Sequence, residues 1–512
     1  MPVTLSYPGV YIEELSSGVH TITGVATSIT AFIGATLRGP SNVATRIQSY
    51  ADYERTFGPL DAACTMGYAV QHYFQHGGTD AYIVRVAGDG AAKATFELAT
   101  ADTPLKLVAT GEGTWADELK VTISYDDTKD KDKLFTLRIQ KPASPGSDKL
   151  VDLEKFINLS HEAAHERNVK SVLRGSALLN VDGAVPAARP NAATFDPKSK
   201  GNAGKAIKDA DVLGDQEKRT GLYALDEVDL FNLLYIPPLE RDTDVKNDTL
   251  AKAATYCTKR RALLIADLSL EGAAGGDDVT KAEAAVNALR SQATADAANV
   301  AVYFPRVVMA DPLQQGRSAA FGAGGAIAGI MARTDSQRGV WKAPAGLDAG
   351  FSGVRELTYK LDDGANGRLN PLGLNCLRSF PVFGTVVWGA RTLAGADVLA
   401  SDWKYVPVRR LTLFIEESLY RGTQWAVFEP NDEPLWAQIR LNLGAFMHNL
   451  FVQGAFQGAA PRDAYFVKCD KETTPQNAID LGIVNIVVGF APLKPAEFVV
   501  IKIQQIAGQI QV

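Results

Sequence analysis

Short apolar runs alternate with helical stretches along much of this chain. The runs are nearly free of polar residues, as expected of parallel strands that are covered on both faces. The predicted strands are Ile29–Gly34, Ala81–Val86, Leu230–Ile236, Ala262–Ala266 and Val300–Pro305. Residues 62–74 have a helical pattern between the first two strands. Because strand–helix–strand order is typical of an α/β layer, the pattern predicts an α/β domain.

The region 88–212 interrupts this pattern with a more polar composition. Residues 119–125 and 134–139 alternate apolar and polar side chains with a period of two, which indicates half-buried strands. The charged run 126–133 lies between them, so we predict a β-hairpin with a solvated tip. We interpret the whole region as a mainly-β surface module inserted into the α/β domain.

The last third of the chain contains the strongest helical signal. After Glu429, the sequence Pro-Asn-Asp-Glu-Pro supplies residue types that start helices, and we predict a helix that begins near Asp432. Apolar side chains then recur at helical spacing at Leu435, Trp436, Ile439, Leu443, Phe446, Met447, Leu450 and Phe451. We therefore predict that this helix packs in the core of a C-terminal α+β domain.

The predicted fold class is α/β (α+β multidomain), with extended arms at both ends that complete the C-terminal domain. The predicted organisation is an N-terminal β arm (1–20), an α/β domain (21–87 plus 213–340), an inserted module (88–212), a C-terminal core domain (341–496) and a C-terminal β arm (497–512).

Composition narrows the class of protein. The chain has 512 residues and a formal net charge of −6, which gives no general attraction to nucleic acid or to an anionic membrane. Its first residues have no basic and apolar leader pattern, and no run approaches the length of a spanning helix. The four cysteines are widely separated, which favours reduced cytosolic thiols. We expect synthesis and assembly in the cytoplasm, with no membrane insertion and no nucleic-acid partner.

One short motif suggests an enzyme. His161-Glu162-Ala163-Ala164-His165 matches the H-E-x-x-H helix of zinc proteases, in which two histidines one turn apart bind the metal. The positions of the extended form hold Asn168 and Ser171 instead of Gly and His. A zinc-dependent hydrolase is therefore the alternative function, and a solvated helix capped by Ser160 is the structural interpretation.

A second motif suggests phosphate binding. The glycine-rich segment 322–329 fails the dinucleotide pattern because Ile327 occupies the place of the third glycine, and it fails the P-loop pattern because no Lys-Ser/Thr follows Gly329. Small residues that let a helix pack closely explain it better. We expect no cofactor, no metal and no catalytic residue.

Many ordered blocks resemble the tail sheath family of contractile phage tails and phage-tail-like extracellular injection systems. The blocks are Tyr7–Glu14, Ala328–Asp335, Arg338–Gly346, Leu369–Asn375, Val387–Leu393, Val408–Leu411, Phe414–Ser418, Phe428–Asp432 and Ala491–Val500. This resemblance implies a structural protein and not an enzyme. It implies a helical array of stacked hexamers around an inner tube, with baseplate and tail-terminator or cap proteins as further partners.

The resemblance also implies that terminal arms add strands to the sheets of neighbouring subunits, as in β-augmentation. The expected arm residues are Val10, Tyr11, Ile12, Glu13, Glu14, Glu497, Phe498, Val499, Val500, Ile501 and Ile503. An edge strand folded onto its own domain is the alternative.

A possible tube contact is the acidic start of the C-terminal helix, at Glu429, Asp432 and Glu433. Carboxylates at a helix N-terminus also favour the positive end of the helix dipole. From the sequence, both interpretations stay open.

Overall fold

The structure is a computed structural model that describes residues 20–144 and 146–502. Its internal contacts divide the chain into two compact units. The larger unit contains residues 27–337 and 343–406, and the smaller unit contains residues 338–342 and 407–502 together with 20–26.

Twenty strands and twelve α-helices are formed by the described residues. The strands are β1 (Thr30–Gly34), β2 (Thr45–Ile47), β3 (Ala81–Arg85), β4 (Thr95–Leu98), β5 (Leu105–Ala109), β6 (Lys120–Ser124), β7 (Phe135–Pro142), β8 (Leu150–Leu159), β9 (Leu179–Val181), β10 (Thr194–Phe195), β11 (Leu233–Tyr235), β12 (Leu263–Asp267), β13 (Val300–Phe304), β14 (Val307–Asp311), β15 (Arg317–Phe321), β16 (Val354–Leu357), β17 (Leu374–Phe380), β18 (Gly384–Val387), β19 (Tyr465–Lys468) and β20 (Val487–Phe490). The helices are α1 (Tyr50–Phe57), α2 (Thr65–Gln75), α3 (Val169–Leu173), α4 (Asp209–Leu213), α5 (Asn247–Lys259), α6 (Asp278–Ala293), α7 (Gly324–Arg338), α8 (Asp363–Leu369), α9 (Val406–Gly422), α10 (Glu433–Val452), α11 (Pro461–Ala464) and α12 (Gln476–Asp480).

An eight-stranded sheet organises the larger unit, in the order β18-β17-β13-β12-β11-β1-β3-β2. The strands from β17 to β3 in this order are parallel, and Phe32 is in register with Ile83 on one side and with Tyr235 on the other. Burial of these apolar strands on both faces supplies the two main hydrophobic clusters of this unit. This parallel sheet with both faces covered confirms the predicted α/β fold class.

Close helix packing explains the glycine-rich segment. A Cβ atom at Gly325 or Gly329 of α7 would overlap the backbone carbonyl oxygens of Ala69 and Tyr73 of α2. These glycines therefore let two helix backbones approach each other. The same stretch packs into the core as part of α7, as the small residues predict.

Parallel sheets of this type bind ligands at the carboxyl ends of their strands, where the strand order reverses. At that place, beside β11, a cavity of about 20 Å³ has room for one water molecule. Ion pairs surround it: Arg241 lies 2.6 Å from the buried carboxylate of Asp311, and Arg306 pairs with Asp244. The two arginines that line this cavity are thus each paired with a carboxylate.

The inserted region contains two small antiparallel sheets, β4-β5-β9 and β10-β6-β7-β8. Its own hydrophobic cluster includes Phe96, Leu107, Val121 and Ile139. The predicted hairpin is present as β6 and β7, with Val121 opposite Ile139. The region thus folds around a separate core.

The central sheet extends further along the chain than the sequence pattern indicates. Residues 343–406 group with the larger unit, whereas the sequence analysis placed them in the domain 341–496. The reason is that β17 pairs with β13 in parallel, and β18 then pairs with β17. In the part of the chain that the structure describes, no helix has both the length and the apolar character needed to cross a bilayer.

Candidate assembly site

The smaller unit is built around the helix α10. Seven of the eight predicted stripe residues are buried, namely Leu435, Trp436, Ile439, Leu443, Phe446, Met447 and Leu450, and the eighth, Phe451, is half-buried against the same cluster. They pack with Leu411 and Ile415 of α9 in a single hydrophobic cluster. Burial of such side chains stabilises by roughly 1.5–3 kcal/mol each, which fixes the orientation of the helix in its own unit.

The start of α10 is held by side-chain hydrogen bonds. The Asp432 carboxylate accepts from the backbone N–H of Glu433 at 2.7 Å, and Glu433 forms a 2.5 Å ion pair with Arg440. Asn431 accepts from the Trp436 indole at 2.9 Å and donates to the Ile483 carbonyl at 3.1 Å. The structure therefore gives Asp432 a capping role at the start of α10, in agreement with the helix-dipole interpretation. The carboxylates of Glu429, Asp432 and Glu433 are all exposed.

A two-stranded antiparallel sheet, β19-β20, covers one side of this core. Its inner side chains, including Tyr465, Val467 and Val488, pack on the cluster around α10. On the outer face Phe466 lies against Gly489, where a Cβ atom would overlap the ring. Among the described residues no third strand pairs with either β19 or β20. Just beyond β20, Phe456 forms a single bridge with Pro492, and the Gln457 N–H donates to the Ala491 carbonyl at 2.9 Å. Along β19 and β20 themselves, the outer edges carry no further strand of the described residues, and two-stranded sheets gain stability when further strands are added.

The segments that lead to both arms belong to this same unit. Near the N-terminus, the His20 ring stacks on Trp425 with centroids 4.3 Å apart, and Ile22 is buried in the cluster. After β20, residues 493–502 form no strand within the chain. Residues 20–26 and 493–502, which lead to the two predicted arms, therefore belong to the unit that carries this sheet.

Four of the predicted arm residues are exposed. Phe498, Val499, Val500 and Ile501 have exposed fractions of 75–81%, and Glu497 is half-buried. Val10, Tyr11, Ile12, Glu13, Glu14 and Ile503 lie outside the described residues. The described residues of the chain therefore leave these consecutive apolar side chains uncovered, as is typical of an interaction segment.

Sequence reasoning missed β19 and β20 as a place where strands can be added. The signal was present, because Tyr465–Lys468 and Val487–Phe490 are short β-prone runs. It was weak because each run has only four residues and no hairpin turn joins them in sequence. Their pairing is decided by packing on α10.

The helix predicted at residues 161–165 is wrong. These residues form turns between β8 and α3, because the backbone N–H of Ser160 donates to the Arg167 carbonyl at 2.9 Å and closes a loop. His165 Nδ1 accepts from the Arg167 N–H at 3.0 Å. The helical spacing that the zinc-protease motif needs is therefore missing. Over residues 20–144 and 146–502, no group of three or more His, Cys, Asp or Glu side chains is arranged to hold a metal ion.

Substituting alanine for both His161 and His165 is expected to leave assembly unchanged. The melting temperature should change by no more than a few degrees. The double variant loses one side-chain hydrogen bond, worth about 0.5–1.5 kcal/mol. Asn168→Ala is the matched control, because this buried side chain caps α3 at 3.0 Å and donates to the Glu162 carbonyl at 2.9 Å; it should lower the melting temperature more. Stoichiometric zinc in native particles, lost in the double variant, would contradict the prediction.

Comparisons with known proteins show similarity to one family in the part of the chain that contains this geometry. Residues 400–506 match the family described as the phage tail sheath C-terminal domain. This stretch contains α10, β19, β20 and the exposed tail. The chain is similar to tail sheath proteins.

Individual relatives agree with this result. The tail sheath protein of Vibrio phage KVP40 is 29% identical over 174 residues, which are 34% of this chain and 24% of that protein. The chain thus matches about a quarter of the length of that relative. Among solved structures, the helical sheath of the anti-feeding prophage in its contracted state aligns with 98% of this chain and 100% of that chain, at a TM-score of 0.59 and 24% identity. The sheath of the extracellular injection system PVC in its contracted state covers 98% and 99%, at a TM-score of 0.59 and 23% identity. At these identities the structures establish the shared fold.

Proposed function

We propose that this chain is the structural subunit of a contractile sheath that surrounds an inner tube and contracts to drive the tube through a target envelope. The observation that carries the proposal is the open β19-β20 sheet, which lies in the matched sheath domain together with the segments that lead to both terminal arms. Such a subunit has no catalytic role. Its partners are further copies of itself in stacked hexamers, the inner tube protein, the baseplate and a tail-terminator or cap protein.

In this proposal the arms of neighbouring copies add strands to the free edges of β19 and β20. The tail residues Val499, Ile501 and Ile503 alternate, as an added strand requires. Four or five backbone hydrogen bonds at about 0.5–1.5 kcal/mol each give a joint of only a few kcal/mol. Each joint is modest, and a sheath contains many of them.

Contraction then needs no nucleotide. A sheath assembled in a metastable extended state gains stabilising contacts in every subunit when it shortens. A gain of a few kcal/mol per subunit, typical of switching equilibria, sums over the array to a large driving force. Synthesis and assembly in the cytoplasm, as part of a phage tail or phage-tail-like particle, complete the proposal.

Electron microscopy of the purified protein tests the proposal. We expect rings or tubes whose wall is built from this chain. A protein that stays monomeric at high concentration, with or without the inner tube protein, would overturn it.

We further propose that the exposed carboxylates Glu429, Asp432 and Glu433 face basic side chains of the inner tube. Removing charge while keeping the cap, with Asp432→Asn and Glu433→Gln, is expected to lower the amount of tube-bound sheath and the salt sensitivity of that binding. Exposed ion pairs contribute roughly 0–1 kcal/mol each and weaken in salt, which suits a contact that must be released.

The matched control removes two exposed charges elsewhere in the same unit, with Asp463→Asn and Glu472→Gln. Tube binding of the control should equal that of the wild type. If the Asp432/Glu433 variant binds the tube normally and responds to salt as the wild type does, the carboxylates act only at the start of α10.

A further inference from the structure

One edge of the central sheet is covered by a segment without regular secondary structure. β18 is the last strand of the sheet on this side. Residues 346–352 run along β18, and we define them as the cover segment. Its Phe351 N–H donates to the Thr385 carbonyl at 2.9 Å, and the Val387 N–H donates to its Ala349 carbonyl at 3.1 Å. The cover segment thus satisfies backbone groups of an edge strand that would otherwise be open to other strands.

Side chains from two helices hold the cover segment in place. His76, which directly follows α2, is 1% exposed, and its Nε2 accepts from the Ser352 N–H at 2.9 Å. The Phe351 ring packs against the imidazole, with ring centroids 5.8 Å apart. On the other side, the Arg333 guanidinium of α7 donates to the Gly350 carbonyl at 2.9 Å. The cover segment is therefore bonded to both an imidazole and a guanidinium.

These hydrogen bonds decide which nitrogen of His76 carries the proton. The Ser352 N–H can only donate, so Nε2 must be the acceptor. Nδ1 lies 2.7 Å from the His72 carbonyl, which can only accept, so Nδ1 carries the proton. Both contacts thus require the neutral imidazole. A second proton, on Nε2, would face the Ser352 N–H and break this contact.

The surroundings of the ring disfavour a positive charge. Burial lowers the pKa of His76 from its ordinary value of 6.5, and the nearby charge of Arg333 lowers it further, although the hydrogen bond to the His72 carbonyl acts in the opposite direction. The ring of His72, on the same helix, stays neutral in this range, because burial lowers its pKa to about 3. Asp348, the titratable residue of the cover segment, has an exposed side chain. Protonation of His76 is thus coupled to loss of its contact with the cover segment.

We propose that His76 makes the cover segment an acid-sensitive closure of the sheet edge, because protonation of its imidazole releases residues 346–352 and exposes the backbone of β18. The contact is complete above pH 6.5 and is lost as the pH falls toward the lowered pKa of the folded chain. The released edge presents unpaired N–H and C=O groups, which pair readily with another strand. The closure is a property of the single chain and goes beyond its proposed role in a sheath.

Hydrogen exchange of backbone amides tests this inference on the isolated full-length chain, so the result does not depend on sheath assembly. Protection of the cover segment and of β18 is followed by mass spectrometry between about pH 8 and pH 5, the range in which histidine titrates. His76→Gln supplies an amide oxygen as an acceptor and cannot be protonated. His448→Gln is the matched control, because it removes an exposed histidine of α10.

We expect protection of the cover segment and of β18 to fall about tenfold or more in the wild type as the pH decreases, while β12 in the middle of the sheet stays protected. His448→Gln should behave as the wild type does, and His76→Gln should keep the same protection at every pH. Protection that does not change with pH in the wild type would overturn the inference. So would loss of protection in His76→Gln at the same pH as in the wild type.

A second variant separates a titrating His76 from a merely structural one. Arg333→Gln keeps a donor near the Gly350 carbonyl and removes the positive charge, so the pKa of His76 should rise and the midpoint of the transition should move to higher pH. A purely structural role would lower protection equally at every pH. If His76→Gln does not fold, the midpoint of Arg333→Gln decides, and an unchanged midpoint overturns the inference.

Discussion

A chain that ends at residue 496 is expected to remain folded and soluble and to build no long tubes. The side chains of Phe498–Ile501 are largely exposed, so the isolated subunit loses little of its own packing. Changes at exposed positions usually alter stability by less than about 0.5 kcal/mol. Each missing joint, by contrast, removes several backbone hydrogen bonds, and the loss is repeated in every subunit of the array.

Electron microscopy and the melting temperature measure the two effects separately. A chain that ends at Ile503 is the matched control, because it keeps the alternating side chains of Val499, Ile501 and Ile503; it should still assemble. A chain that lacks residues 1–15 should also remain folded and build no long tubes. Tubes of normal length from a chain that ends at 496 would show that the tail does not join the subunits.

The second large effect is expected at Arg391, whose side chain is fully buried in the larger unit. Its guanidinium donates to the carbonyl oxygens of Asn370 and Gly395 at 3.1 and 3.3 Å and to the Asp397 carboxylate at 3.0 Å. Its backbone is fixed by Asn375, whose side chain bonds both the N–H and the carbonyl of Arg391 at 2.7 Å. One side chain thus joins segments that are distant in sequence.

Arg391→Met is expected to lower the free energy of unfolding by about 1–3 kcal/mol, because it removes three hydrogen bonds and takes a donor from the Gly395 carbonyl, whereas the Asn370 carbonyl still accepts from the Gly373 N–H at 2.9 Å. A shift of the urea midpoint of the larger unit measures this. Lys404→Met is the control: its ammonium lies 2.7 Å from Asp397, which is half exposed, so its loss should cost less than about 1 kcal/mol. The hydrogen bond from Lys404, together with Arg391, also lowers the pKa of the Asp397 carboxyl. Equal destabilisation by the two variants would contradict the structural role of Arg391.

The resemblance blocks show what a local pattern can and cannot indicate. Blocks Leu369–Asn375 and Val387–Leu393 are separate in sequence, and the structure brings them together around Arg391. Nothing in their composition predicts a fully buried arginine, because the donors and acceptors that satisfy it come from different elements. These two blocks therefore form one hydrogen-bonded network around Arg391.

The histidine motif is a local pattern that predicted the wrong structure. His161–His165 has the spacing of a helix, but β8 pairs with β7 up to Leu159 and the chain must then turn back toward α3. The hydrogen bonds of that turn outweigh a weak local preference for helix. A five-residue pattern was therefore a poor guide to both structure and chemistry.

The sequence by itself determined the elements whose apolar spacing is strong, namely the parallel strands of the larger unit and the helix α10. Their side chains must be buried whatever surrounds them, so a local pattern is sufficient. Only the tertiary structure decided that β17 continues the central sheet, that β19 pairs with β20, and that Phe428 is exposed with a positive φ. Those features depend on which distant segments meet, and on backbone conformations that side-chain spacing does not record.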